Sequence, residues 1–218
     1  MTNPAESALR PREEQLRSTA VRLFRRHGYD ATSMQDLAEA LEMHRGSLYH
    51  YIDSKEDLLW GIVLGVMSRF CDEVVPVLQR TGPPADRLRR GVRAHLRIAA
   101  DAPDELTLAQ VELKALGESR ASEIIEMRDR YEHAWRGLIR EGIQAGDFSC
   151  EDERSAGFVI LAACNWFSQW FHSDGPMSVD EFAARFADLF LGALGAREAG
   201  AARAGTSVGS GRRRTTRP

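Results

Sequence analysis

Residues Ser33 to Tyr51, SMQDLAEALEMHRGSLYHY, contain the pattern that decides the fold. Ser33 and Asp36 have the spacing of a capping box, which predicts the start of a short helix. A second short helix over Arg45–Tyr51 follows after only Glu42-Met43-His44. Two short helices joined by so tight a turn have the geometry of a helix-turn-helix.

Helical periodicity continues on both sides of this stretch. A first helix ends near Gly28, and a second capping box at Ser54 and Asp57 starts a long fourth helix. Pro76 and the Thr81–Pro84 cluster are expected to end that helix. Downstream, the pattern predicts helices near residues 86–100, 103–116, 122–145, 151–172 and 178–194, with no convincing alternating strand.

The predicted fold class is therefore all-α, with an N-terminal three-helix helix-turn-helix domain joined by a long helix to a C-terminal helical bundle that dimerises. The helix-turn-helix DNA-binding domain is placed at residues 10–55. Residues 56–195 form the ligand-binding and dimerisation domain. Residues 196–218 contain almost nothing to bury and are predicted to be a disordered basic tail. The arginines of this tail either add sequence-independent attraction to phosphate or are simply solvated; they are Arg212, Arg213, Arg214 and Arg217.

The composition is that of an ordinary globular protein. Of 218 residues, 43% are hydrophobic and 28% charged, and the net charge of −3 gives no sign of a nucleic-acid partner. Widely separated Cys71, Cys150 and Cys164 argue against disulfides and a thiolate zinc site. The start of the chain lacks the pattern of a secretory signal, and the most apolar run, residues 157–171, is too short to span a membrane. We expect a cytoplasmic protein with no metal and no cofactor.

The chemistry of the second short helix suits DNA. The Arg45 guanidinium can donate two parallel hydrogen bonds to guanine in the major groove, and Gly46 allows a close approach of the backbone. The helix start at Ser33 offers backbone N–H groups to phosphate. Further donors suited to phosphate oxygens are Ser47, Tyr49, His50 and Lys55.

Two other classes of function compete with DNA binding. Residues 1–60 contain more acidic than basic side chains, which favours a helical module that binds protein, although Arg45–Lys55 has only Asp53 as an acid. An enzyme with a di-metal site requires Glu-x-x-His pairs, and no histidine of the sequence has one. Gly205–Gly209 matches a nucleophile-elbow pattern but has no strand before it. We therefore expect no catalysis.

Four segments together resemble the signature of the TetR family of repressors: Gly28–Met34, Leu37-Ala38, Gly46–Ile52 and Ser54–Leu59. The resemblance implies an all-helical homodimer with an N-terminal DNA-binding domain and a C-terminal ligand and dimer domain. His44 departs from the small residue of many relatives, which leaves the operator sequence open. Carried over position by position, the implied DNA-binding residues are Thr32, Ser33, Met34, His44, Arg45, Gly46, Ser47, Tyr49, His50 and Lys55.

The last two helices have broader apolar faces than one helix pair needs for its own core. This surplus suits a two-fold four-helix interface, and the alternative for each aromatic residue is ordinary core. The predicted dimer-interface residues are Phe167, Trp170, Phe171, Phe182, Phe186, Leu189 and Phe190.

An apolar pocket with a few polar groups is predicted inside the C-terminal bundle. Its predicted lining, for which ordinary core is again the alternative, is Met67, Phe70, Leu96, Val111, Glu112, Arg128, Tyr131, Trp135, Asn165 and Trp166. Glu141–Phe148, with Asn165-Trp166 and Trp170-Phe171, resembles the branch of the family that governs fatty-acid and steroid breakdown. That resemblance implies an acyl-CoA or similar amphipathic effector.

Taken together, these features predict a repressor that binds a palindromic double-stranded operator as a homodimer and is released by the effector. The connector that begins at Ser54 belongs to both halves of the chain. A ligand that tilts it would change the separation of the two recognition helices.

Overall fold

The computed structural model describes residues 4–196, with side chains from residue 11 onward. The predicted tail, residues 196–218, lies outside the described residues except for Ala196. The four tail arginines and the Gly205–Gly209 pattern lie outside them as well.

Helices make up most of residues 4–196, and no strand occurs among them, which confirms the predicted all-α class. The α-helices are α1 Pro4–His27, α2 Met34–Ala40, α3 Arg45–Leu48, α4 Lys55–Arg69, α5 Val75–Gln79, α6 Pro84–Asp101, α7 Pro103–Val111, α8 Glu118–Gln144, α9 Glu153–Trp166 and α10 Val179–Ala193. The helices predicted over 103–116 and 151–172 end earlier, at Val111 and Trp166, and short 3-10 turns follow at Leu113–Ala115 and Phe167–Gln169. None of the described helices is both long and apolar enough to cross a membrane.

Reciprocal hydrogen bonds start α2 where the sequence predicted. The Asp36 N–H donates to Ser33 Oγ at 3.2 Å, and the Ser33 N–H donates to Asp36 Oδ2 at 2.7 Å. After Leu41 the chain reverses at Glu42, whose φ of 54° lies in the left-handed region. The Met43 N–H then donates back to the Ala38 carbonyl at 2.8 Å, which closes the turn before α3.

The cap of α4 is only half of the predicted capping box. The Asp57 N–H donates to Ser54 Oγ at 3.0 Å, but the Asp57 carboxylate accepts from the Ser54 hydroxyl and not from its backbone N–H. These contacts with Ser54, together with hydrogen bonds from Arg120, lower the pKa of the Asp57 carboxyl.

Pro76 does not end the connector helix, contrary to the sequence prediction. The chain widens into a π-helical segment at Phe70–Val74 and continues directly into α5. Proline lacks an N–H and its ring collides with the carbonyl four residues earlier in a regular α-helix. The wider π-helical turn just before Pro76 changes which carbonyl faces the proline ring, so the helix continues into α5 without stopping. Helix α5 ends at Gln79.

Helix α6 lies at the centre of the C-terminal bundle, and ion pairs fasten α10 to its surface. Asp180 accepts from Arg93 at 2.6 Å and from Arg97 at 3.0 Å, and Arg89 pairs with Asp188 further along α10. The two guanidinium groups hold the pKa of Asp180 well below its usual range. A reciprocal capping box at Ser178 starts α10 as predicted.

Candidate functional site

Helix α3 has a mostly polar, exposed surface and one buried apolar residue. Leu48 is completely buried where α3 packs on α2, whereas His44, Arg45 and His50 are exposed. Arg45 Nη2 donates to the Tyr49 hydroxyl at 3.3 Å, and the guanidinium carbon lies 5.9 Å from the centre of the Tyr49 ring. The regular helix ends at Leu48, and the rest of the predicted segment forms a turn. Arg45 is therefore held near the surface in an orientation that leaves donors for an external partner.

Gly46 has no structural explanation within the protomer. A Cβ atom built at Gly46 meets no heavy atom within 4 Å, and its φ is not in the left-handed region. A helix with glycine at an interior position is less stable than the same helix with alanine there by about 0.5–1 kcal/mol. An alanine would fit here, so nothing inside the protomer requires the missing side chain.

The start of α2 is less open to phosphate than the sequence predicted. Both the hydroxyl and the N–H of Ser33 bond the Asp36 carboxylate. These side-chain and backbone hydrogen bonds from Ser33 lower the pKa of Asp36, so this carboxyl stays ionised. The backbone N–H groups of Met34 and Gln35, which have no intrahelical acceptors, are what this helix start can still offer to a phosphate.

Thr32 and Lys55, predicted to contact DNA, have structural roles in the protomer. Thr32 is only 2% exposed, and its hydroxyl donates to the Gly28 carbonyl at 2.8 Å. Lys55 Nζ donates to the carbonyls of Tyr29 at 2.8 Å, Thr32 at 2.9 Å and Asp30 at 3.4 Å. An ammonium group has three donors, and all three are used here. The prediction of a phosphate contact is wrong for the Thr32 side chain, and Lys55 braces the loop between α1 and α2.

A cavity of about 430 Å³ lies between α4, α7, α8 and α9. Its inner part is formed by buried side chains such as Met67, Phe70 and Tyr131, and its mouth by exposed Asp129 and Phe158. The complete lining is Met67, Phe70, Leu106, Ala109, Gln110, Arg128, Asp129, Tyr131, Glu132, Phe158, Leu161, Ala162 and Asn165.

Half of the predicted pocket residues do not line this cavity. Leu96 and Trp135 are completely buried in the bundle core. Val111 and Glu112 lie at the end of α7, past its cavity-facing residues, and Trp166 is 64% exposed on α9. These five assignments are therefore wrong for the cavity that the structure contains. The residues that do line it from the predicted set are Met67, Phe70, Arg128, Tyr131 and Asn165.

Residues on one face of α9 and in part of α8 line the cavity but were absent from the predicted lining. Phe158, Leu161 and Asn165 recur at the three- and four-residue spacing of one helix face, a signal that could have been found from Asn165. Glu132 lies one turn after Arg128 on α8 and was not among the predicted lining residues.

Arg128 and Glu132 at the cavity are only partly exposed. The Arg128 guanidinium donates to the Ala109 carbonyl, and burial lowers the pKa of Arg128. Glu132 Oε1 lies 3.6 Å from Arg136 Nη1 in an ion pair that is too long for a hydrogen bond, and this buried oxygen has no hydrogen-bond partner. Among the described residues, no group of histidine, cysteine and acidic side chains is placed to hold a metal ion.

Helices α9 and α10 leave large apolar side chains exposed in the protomer. Val159 is 63%, Trp166 64% and Leu189 68% exposed, and an apolar groove of about 300 Å³ runs between the two helices. Phe167 is completely buried and Phe190 almost so, because both pack inside the protomer. The prediction that Phe167 contacts a partner subunit is therefore wrong. The other predicted interface residues, which are at least partly exposed, are Trp170, Phe171, Phe182, Phe186 and Leu189.

Ion pairs join the first helices to the C-terminal bundle. Arg120, in the first turn of α8, pairs with Glu56 at 3.2 Å and also with Asp57, both in the first turn of α4. A second contact joins α1 to α7, where Arg25 Nε lies 2.9 Å from Asp104 Oδ1. These ion pairs connect α7 and α8 of the bundle to α1 and α4.

Two family profiles match the chain. Residues 16–60 match the family described as "Bacterial regulatory proteins, tetR family", and residues 81–194 match "Tetracyclin repressor-like, C-terminal domain". Together they include the helix-turn-helix, the start of the connector and the helical bundle.

The same assignment appears in individual relatives. The "HTH-type transcriptional repressor KstR2" of Rhodococcus jostii (strain RHA1) is 26% identical over 189 residues, which cover 84% of this chain and 91% of that protein. The TetR family transcriptional regulator PfmR from Thermus thermophilus is 34% identical in structural alignment, with a TM-score of 0.74, covering 81% of this chain and 96% of PfmR. AibR, solved in complex with isovaleryl coenzyme A and operator DNA, is 28% identical with a TM-score of 0.70, covering 84% and 97% of the two chains.

Proposed function

The chain belongs to the TetR family of helix-turn-helix transcriptional repressors, and we propose that it acts as a homodimer on a palindromic operator and leaves the DNA when an amphipathic effector binds its cavity. The observation that carries the proposal is the surface of α3. Arg45 is exposed there beside a glycine whose missing side chain nothing inside the protomer requires. A guanidinium on a helix that approaches the major groove closely can bond both acceptors of a guanine. Acting on chromosomal DNA, the protein would be cytoplasmic.

The proposed dimer uses the exposed apolar faces of α9 and α10. Val159 and Trp166 on α9 and Leu189 on α10 are large apolar side chains with no cover in the protomer. Their burial against the same helices of a second copy would form a two-fold, four-helix interface. Such a dimer presents two α3 helices, and a palindrome matches their two-fold symmetry when its half-sites are spaced like the helices.

The proposed effector is a small hydrophobic or amphipathic molecule such as an acyl-CoA. The cavity volume of about 430 Å³ is within the range of small-molecule sites, and its inner wall is largely apolar. AibR, one of the structural relatives, was solved with isovaleryl coenzyme A and operator DNA. The open mouth at Asp129 and Phe158 would leave the larger polar part of such an effector outside the cavity.

Coupling between effector and DNA would run through the ion pairs between the two halves. Helices α7 and α8 line the cavity and also provide Asp104 and Arg120, which bind α1 and α4. A ligand that displaces either helix would move α3 relative to its symmetry mate. Release requires only that the effector prefer the displaced arrangement, by about 1–3 kcal/mol for a typical coupling.

The experiment is a titration of labelled operator DNA, selected from a random library and from the region upstream of the protein's own gene. Arg45→Ala should weaken binding by about 1–3 kcal/mol, or about five- to 150-fold. Arg130→Ala, the same change at an exposed residue of α8, is the matched control and should leave binding unchanged. Equal affinities for wild type and Arg45→Ala would refute the assignment of α3. Failure of the wild type to bind any selected DNA would refute the proposal as a whole.

A further inference from the structure

Buried polar side chains lie at the inner wall of the cavity and directly behind it. Tyr131 and Asn165 line the cavity, and His95 lies behind them with its ring packed against that of Tyr131. Glu132 also lines the cavity, and its Oε1 atom is buried without a hydrogen-bond partner. Proteins pair nearly all buried polar groups. A ligand in the cavity would therefore meet polar groups that can complete their hydrogen bonding with it.

His95 and Tyr131 form the buried centre of this arrangement. His95 Nδ1 lies 2.8 Å from the Tyr131 hydroxyl oxygen, and the Phe70 ring packs on the imidazole with the ring centres 4.7 Å apart. The Asn165 amide also lies close enough to hydrogen-bond the imidazole. Burial lowers the pKa of His95 to about 3, although Asn165 opposes the shift, so the imidazole is neutral near pH 7.

A neutral imidazole has one N–H donor and one acceptor nitrogen, which leaves two arrangements. With the proton on Nε2, the Tyr131 hydroxyl donates to Nδ1, and Nε2–H faces the amide oxygen of Asn165. The Asn165 NH₂ group then remains as a donor toward the cavity. With the proton on Nδ1, His95 donates to the Tyr131 oxygen, and the hydroxyl proton of Tyr131 is free to turn toward the cavity. Both arrangements leave an uncharged donor at the cavity wall.

We infer that Tyr131 and Asn165, with His95 behind them, bind an uncharged hydrogen-bond acceptor of the effector, such as a ketone carbonyl. The inference rests on the proposed function only in taking this cavity as the effector site. Met67 and Phe70 provide apolar contacts around that acceptor. A purely hydrocarbon end would displace water from the same donor and leave it unpaired, which is unfavourable. The effector is therefore an apolar skeleton with a carbonyl at its buried end.

The test compares two probes of nearly the same shape, 2-decalone and decalin, which differ by one carbonyl. Their affinities are measured without DNA by the change in tryptophan fluorescence, for wild type, Tyr131→Phe and Asn165→Leu. The wild type should bind the ketone about tenfold more tightly than the hydrocarbon. This ratio should fall below about twofold in at least one of the two variants, because one of the two side chains provides the donor.

Tyr29→Phe is the matched control, since it removes the same hydroxyl from a buried tyrosine that does not line the cavity, and it should keep the wild-type ratio. Circular dichroism melting of each variant checks the fold. The inference is overturned if the wild type binds both probes equally, binds neither, or if both cavity variants retain the preference. The measurement involves no DNA, so a failure of operator binding is distinguishable from a failure of the carbonyl site.

Discussion

Replacing Gly46 by alanine separates the stability of α3 from its function. The added Cβ meets no heavy atom within 4 Å in the protomer, and the residue lies inside the helix Arg45–Leu48. The variant should gain about 0.5–1 kcal/mol of folding free energy, because alanine is the better helix former. For a chain of this length that gain corresponds to a melting temperature about 1–4 °C higher.

The same methyl group should weaken DNA binding if the backbone of α3 approaches the DNA closely. An extra methyl in a closely packed contact is unfavourable by about 1–3 kcal/mol, equivalent to about five- to 150-fold in affinity. The expected variant is thus more stable than the wild type and a poorer DNA binder. Loss of function through misfolding would lower both properties.

The assay pairs a thermal melt with a fluorescence-anisotropy titration of labelled operator. Gly137→Ala is the matched control, because Gly137 also lies inside a helix, α8, with no heavy atom within 4 Å of a built Cβ. The control should show a similar gain in stability and an unchanged affinity for DNA. Undiminished affinity in Gly46→Ala, together with the expected rise in melting temperature, would refute the close approach of α3 to DNA.

The remaining predictions concern the dimer and the coupling between the two halves. Leu189→Glu should shift the protein to monomers in sedimentation velocity without loss of helicity, because the side chain is largely exposed in the protomer and its charge would be buried in the dimer; an unchanged dimer would contradict the assigned interface. Arg120→Ala removes the ion pairs to Glu56 and Asp57, so an effector that still binds should release operator less effectively than in the wild type. Arg140→Ala, which removes an ion pair with Glu153 inside the bundle, is its control, and equal release by both variants would rule out the Arg120 contact as the link.

Local sequence signals were sufficient for the starts of α2 and α10. The capping boxes at Ser33 and Ser178 depend on side chains that bond their own backbone three residues away, so the sequence contains both partners. The start of α3 at Arg45 was also predicted, although its regular helix ends at Leu48 and not at Tyr51.

The sequence predictions failed where a residue's partner is distant in the chain. Lys55 was expected to bind phosphate because its ammonium group is a donor suited to phosphate oxygens, but in the protomer it donates to the carbonyls of Tyr29, Asp30 and Thr32. The continuation of the helix through Pro76 depends on a π-helical turn, which residue periodicity does not predict. Leu96 and Trp135 are large apolar residues of the kind that line pockets, but the packing of α6 and α8 buries both completely.

The most direct test of DNA recognition by α3 is a base-pair substitution scan of the operator, measured with wild type and with Arg45→Ala. For the wild type, replacing one guanine in each half-site should weaken the binding free energy by about 1–3 kcal/mol. Arg45→Ala should bind all bases at that position equally while retaining the preferences at the other positions. If both proteins show the same preference at every position, Arg45 does not read the operator, and the proposed mode of recognition is wrong.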